Sequence, residues 1–203
     1  IRKKYHLGNR FIVLYTGSFA PWHSCEQIVR TARKLPKKNN ITFLLVGGGE
    51  QYESCRKLAD QLGVNKQFIF TREIPFSRMP DYVAAADVCL ALFDRRYPPF
   101  KKYSFFYSPM KIMEYKASGK PIIASDFGNL KKLVVPGKNG FLVNEHNPEN
   151  IARALQKLSR NKTLCKKIGQ FNYQQAKKIH HWDVVNTLIL EKLEQKTAFA
   201  SSF

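Results

Sequence analysis

The chain has 203 residues, 44% of them hydrophobic, with 34 lysines and arginines against 15 acidic residues and a formal charge of +19. Its apolar content supports a sizeable core, and the length suits one large domain or two small ones. No apolar run is long enough to span a bilayer and no hydrophobic signal segment follows the basic start. The four cysteines (Cys25, Cys55, Cys89, Cys165) show neither paired zinc spacing nor C-x-x-C. We therefore expect a soluble, cytoplasmic protein with reduced, mostly buried thiols. Because the chain opens at Ile1 in a basic stretch just ahead of a strand, we expect it to be cut from something longer.

In chain order, apolar runs predict strands at Phe11 to Thr16, Ile41 to Val46, Gln67 to Phe70, Val88 to Leu92, Pro121 to Ala124 and Phe141 to Val143. Between them lie helical patterns. One places Cys25, Ile28, Val29, Ala32 and Leu35 on a single face, and the next does the same with Tyr52, Cys55, Ala59 and Leu62. The strands are continuously apolar rather than alternating, as strands shielded by helices on both sides must be. The prediction is a single α/β domain, a doubly wound, Rossmann-like parallel sheet of about six strands, over residues 1–203. Its C-terminal helices occupy about 148–196, the last beginning at Trp182, and Thr197 to Phe203 is expected to fray.

Such sheets bind ligands outside the carboxyl ends of their strands, so the loops there hold the candidate residues. Gly17 and Ser18 form a tight turn after the first strand, which is either purely structural or lets backbone amides approach a phosphate. Gly47-Gly48-Gly49 lacks the spacing of a dinucleotide fingerprint and reads as a structural turn. His23 is either a loop histidine packed on Trp22 or a donor to a diphosphate. Asp94 to Tyr107 is aromatic and basic, suited to stacking on bases, a membrane interface, a loop rim or an interface with a missing domain.

The densest information lies from Tyr107 to Gly140. Ser108 is a good N-cap and Pro109 suits a first helical position, because its missing N–H is not needed there. The first-turn amides at Met110 and Lys111, with the lysine ammonium, form an anion-receptive helix end. Glu114 lies one turn further in, placed to accept from the two hydroxyls of a ribose. Together these residues suggest a nucleoside diphosphate lying across the helix start. The positive charge reads first as a solvated surface and next as attraction to an anionic membrane face. Its scattered lysines form no reading module, which argues against nucleic acid.

Four blocks in this order and spacing carry a resemblance: Y-T-G-S-F-A-P-W-H-S-C-E-Q-I-V-R-T-A, F-L-L-V-G-G-G-E, I-P-F-S-R-M-P-D-Y-V-A-A-A-D-V-C-L-A-L, and S-P-M-K-I-M-E-Y-K-A-S-G-K-P-I-I-A-S-D running on to P-G-K-N-G-F-L-V. Over nearly the whole chain they resemble the C-terminal, donor-binding domain of GT-B glycosyltransferases of the family 4 type. The resemblance implies transfer of a hexosyl group from a nucleotide-sugar donor to a glycan or lipid-linked acceptor, usually with retention and without a metal or other cofactor. It also implies an absent N-terminal acceptor domain, supplied by the same chain or by a partner subunit, and a cytoplasmic protein that sits peripherally at the inner membrane face. Lys111, Glu114 and His23 are then the expected catalytic residues. Gly17, Ser18, Ile74, Ser108, Pro109 and Met110 join Lys111 and Glu114 in donor binding, with Ile74 holding the base through its backbone.

Two departures stand out. The family's first glutamate falls on Phe106, and its phosphate-binding arginine and lysine fall on Ser18 and His23. These departures leave open a non-catalytic nucleotide-binding scaffold, and the basic charge and near-complete domain would also suit a donor-binding subunit of a split, membrane-associated transferase.

Overall fold

The computed structural model describes residues 1–36, 38, 40–106, 109–179, 183, 184, 186, 187, 190 and 191. In chain order it contains β1 (Phe11–Thr16), α1 (Cys25–Lys34), β2 (Ile41–Val46), α2 (Tyr52–Gln61), β3 (Phe68–Phe70) and α3 (Met79–Ala85). Next come β4 (Val88–Ala91), α4 (Pro98–Tyr103), α5 (Met110–Ala117), β5 (Ile122–Ser125), α6 (Leu130–Leu133), β6 (Gly140–Val143), α7 (Pro148–Ser159) and α8 (Lys162–Ile179). All strand pairs are parallel, and the sheet order is β3-β2-β1-β4-β5-β6. The chain therefore winds outward from β1 in one direction and from β4 in the other. The topological switch point lies between these two neighbours.

Continuous apolarity explains the burial. Along β1, Ile12 and Leu14 enter one core and Val13 and Tyr15 the other, because successive side chains of a strand face opposite ways. One core is closed by α1, α2 and α7, the other by α3 and α5. Each fully buried leucine or isoleucine contributes about 1.5–3 kcal/mol. The predicted faces of α1 and α2 are the ones buried, except that Leu62 is only partly covered.

The six strands stand where the sequence puts them, with ends shifted by one residue in β3, β4, β5 and β6. Within the predicted loop Phe93 to Ser108 lies a short helix, α4, whose start Pro98-Pro99 preorganises. Trp182 and most of the predicted last helix lie outside the described residues. Among the described residues, no helix is long and apolar enough to cross a membrane.

Candidate functional site

Two glycine turns meet at the carboxyl ends of β1 and β2. Gly17 (φ 130) and Gly47 (φ 132) lie back to back, so close that a β-carbon on Gly47 would collide with the carbonyl of Gly17. Hydrogen bonds weld the turns together, from Gly17 N to Val46 O at 3.0 Å and from Phe19 N to Gly48 O at 2.7 Å. The expected structural role of Gly47 to Gly49 is thus visible in contacts. Gly17 has a further neighbour, since a β-carbon there would lie 2.7 Å from Lys111 Nζ.

Helix α5 brings that ammonium to the switch point. Its tyrosine peg, Tyr115, places a hydroxyl 2.8 Å from Thr16 Oγ1 and accepts from the Thr16 amide at 3.1 Å, locking the helix to the end of β1. At the other end, Gly119 (φ 63) packs directly on Gly169 of α8, where a side chain on either glycine would be crowded by backbone. Pro109 occupies the cap in an extended conformation (ψ 116), so the helix begins at Met110, one residue later than Pro109 was expected to open it. A proline ring fixes φ but leaves ψ free, so Pro109 at φ −72 can serve as the cap as well as the first helical residue. Ser108, the expected cap, lies outside the described residues.

The Lys111 side chain runs between the rings of Tyr15, 4.6 Å from Nζ, and Phe93, 5.4 Å away. Its Nζ is sealed from solvent and makes no hydrogen bond among the described residues. Burial pulls its pKa from 10.5 down to about 8, with Cys25 and Glu114 opposing the shift. At neutral pH it is still mostly charged. The ammonium also sits in the first turn of a helix, where the dipole disfavours a cation. Glu114, half-buried one turn on, likewise has no hydrogen-bond partner among the described residues.

His23 stands behind this cradle. Its Nδ1 lies 2.7 Å from the carbonyl oxygen of Ser18. A carbonyl only accepts, so Nδ1 carries the proton and Nε2 of the neutral ring is an acceptor. Burial, then the Lys111 charge, lower its pKa to about 3. In this state the ring does not supply the donor hydrogen bond to phosphate that the sequence suggested. It holds the Ser18 carbonyl together with the Tyr15 hydroxyl, which donates at 2.6 Å. The exposed Ser18 has a backbone N–H with no partner among the described residues.

Beyond β3, Ile74 is anchored among core side chains while its backbone N–H and C=O make no hydrogen bond among the described residues. Met110 is 63% exposed at the helix start, and Phe106, where the family's first glutamate was expected, is also exposed. The structure thus sets Lys111 of α5 against Gly17, with Ser18 next to Gly17 in that turn, Met110 and Glu114 on the same helix, and Ile74 on the loop leaving β3.

Sequence reasoning missed Tyr115, whose only signal was a hydroxyl on an otherwise apolar helix face. It also missed a clasp between the loops after β4 and β6. There Glu145, fully buried, takes the Arg95 guanidinium at 2.8 and 3.0 Å, and Asp94 takes Arg96. Among the described residues, Asp94, Glu145 and His146 are the group close enough to share a metal ion. Both carboxylates are already matched by guanidinium groups, so the cluster reads as an ion-paired clasp.

Residues 1–175 match the family described as glycosyl transferases group 1. The chain is 28% identical over 176 residues to an uncharacterized glycosyltransferase of Methanocaldococcus jannaschii, covering 86% of this chain and 42% of that protein. It is also 28% identical over 156 residues to a GDP-mannose-dependent α-(1-6)-phosphatidylinositol monomannoside mannosyltransferase of Mycolicibacterium smegmatis, covering 76% of this chain and 40% of that one. The chain therefore spans less than half the length of these relatives. Among solved structures, the UDP-glucose complex of Anabaena Alr3699/HepE superposes with a TM-score of 0.79 at 23% identity, over 96% of this chain and 51% of that one. The C-terminal domain of a glycosyl transferase group 1 family protein of Francisella tularensis superposes with a TM-score of 0.73 at 20% identity, over 89% and 91%. The fold is the one seen in GT-B glycosyltransferases.

Proposed function

We propose, since this chain belongs to the glycosyl transferases group 1 family, that it forms the donor-binding half of a glycosyltransferase and holds a nucleoside diphosphate sugar across the start of α5. The observation that carries this reading is the Lys111 ammonium, buried against Gly17 with no partner of its own. Leaving a buried charge unpaired costs several kcal/mol, roughly, and a diphosphate at this crevice would offset that cost.

In this reading the Ser18 amide and the first turn of α5 join Lys111 in holding the two phosphates. Glu114 accepts from the ribose hydroxyls, and the base reaches the free backbone of Ile74. As the bond from the sugar carbon to the diphosphate breaks, negative charge grows on the departing oxygen. Lys111 and the helix start are already in place to meet it, so little reorganisation is needed at the moment of reaction. His23 keeps the Ser18 turn in shape. Transfer would proceed with retention, without a metal, and to a glycan or lipid-linked acceptor bound by a second half, in the same chain or in a partner subunit. The basic surface suits an assembly that works against an anionic membrane face.

Calorimetric titration with nucleoside diphosphates tests the site. Binding should weaken by about 1–3 kcal/mol in Glu114→Ala and in Lys111→Met, as expected for loss of a charged hydrogen-bonding group. Unchanged affinity in both variants would sink the proposal.

A further inference from the structure

We propose that Glu73 makes this site selective for a guanine base, its carboxylate accepting the paired N–H groups on the Watson–Crick edge of guanine. The inference rests on the donor-site reading above and names the base that this reading leaves open.

Glu73 follows Arg72, whose backbone is left-handed (φ 58) and whose carbonyl accepts from Gly47 N at 2.9 Å. That bridge pins the loop after β3 to the glycine turn after β2. As a result the Glu73 carboxylate lies over Gly48, so near that any side chain at Gly48 would collide with it. The adjacent Arg72 is spent elsewhere, because it donates to Glu53 at 2.6 Å and covers the Tyr52 ring at 4.8 Å. Glu73 itself has no ion pair or hydrogen bond among the described residues. In a chain with 34 basic and 15 acidic residues, a carboxylate beside an arginine and yet unpaired is a conspicuous arrangement. The backbone groups of Glu73 and Ile74 also make no hydrogen bond among the described residues.

A row of contacts connects this carboxylate to the phosphate end of the crevice. Lys111 Nζ abuts Gly17, Gly17 abuts Gly47, and Gly48 abuts Glu73. A nucleoside diphosphate with its phosphates at Lys111 and its ribose at Glu114 therefore carries its base toward Glu73 and Ile74.

The chemistry of that carboxylate discriminates among bases. An ionised carboxylate only accepts, through two oxygens side by side. Guanine offers N1–H and an N2 amino hydrogen side by side, which makes two charge-assisted bonds. Uracil offers one N3–H flanked by two carbonyl oxygens, which repel it. Adenine and cytosine each present one amino group beside a bare ring nitrogen, again repulsive.

The test is calorimetric titration of the protein and its Glu73→Gln variant with GDP, IDP, UDP and ADP, alongside Lys111→Met. Because Glu73 is exposed, the variant is expected to fold as the parent does. GDP should bind roughly 10–100-fold tighter than UDP or ADP, with IDP, which lacks the amino group, in between. Glu73→Gln should remove most of that preference, weakening GDP and tightening UDP as the repulsion from the uracil carbonyls is lifted. Tighter binding of UDP or ADP to the parent overturns the proposal, as does an equal loss for all nucleotides in Glu73→Gln. Binding that depends on Lys111 without favouring guanine would retire the base assignment alone. No binding by any nucleotide would retire the donor site with it.

Discussion

The ammonium of Lys111 and the α-carbon of Gly17 are neighbours across the switch point, with room between them for nothing larger than hydrogen, since a β-carbon on Gly17 would lie 2.7 Å from Nζ. A helix-borne cation and a strand-end turn thus share one wall. Stability and ligand affinity pull on that wall in opposite directions.

Replacing Lys111 with methionine keeps the side-chain volume between Tyr15 and Phe93 and removes an unpaired buried charge. The unfolding free energy should rise by about 1–3 kcal/mol while diphosphate affinity falls. Chemical denaturation and calorimetry on the same variant measure both. Loss of stability in Lys111→Met would show that the ammonium supports the fold rather than a ligand.

Acidity should act through His23. Its folded-state pKa, about 3, lies below the ordinary 6.5, so the unfolded chain binds the proton more readily. Its contribution is fully present above pH 6.5 and is lost as pH falls toward 3, at a limiting slope of about 1.4 kcal/mol per pH unit. Denaturant midpoints between pH 7 and 4 should fall less steeply in His23→Asn than in the parent.

Lys111 gives the complementary behaviour in alkali. With its pKa at about 8 rather than 10.5, it loses its proton in the folded state first. The fold should gain stability between pH 8 and 10 as the cost of the buried charge disappears, whereas diphosphate affinity should decline over the same range. Parallel stability and binding curves against pH would detect the divergence.

Tyr115→Phe deletes the hydroxyl that meets Thr16 and its buried amide. A loss of about 1–3 kcal/mol is expected for leaving those groups unsatisfied. The start of α5 would also loosen, weakening diphosphate binding beyond what the stability change alone predicts. Gly47→Ala should be at least as damaging, because its left-handed backbone and the Gly17 carbonyl leave no space for a methyl group.

Much of this was legible in the sequence. Strand positions followed from continuous apolar runs, and the first two helices from their periodic faces, since burial on both sides of a sheet and on one side of a helix writes itself into residue order. Gly17, Lys111 and Glu114 were legible as candidates because turn chemistry and helix starts are local. Pro109 was misplaced by one residue, as helix ends are set by backbone angles that several residues share.

The sequence by itself determined a parallel α/β sheet, the loops where a ligand would sit, and the identity of the charged residues near them. Only the tertiary structure decided which of those residues are spent on the protein and which are free. His23 turned its proton to the Ser18 carbonyl and Arg72 went to Glu53, whereas Lys111 and Glu73 were left unpaired. The His23 contact is local, whereas the others depend on residues far apart in the chain, brought together where β1, β2 and α5 meet. A hydrogen bond or a desolvated charge is a property of distance in space, and residue order does not contain it.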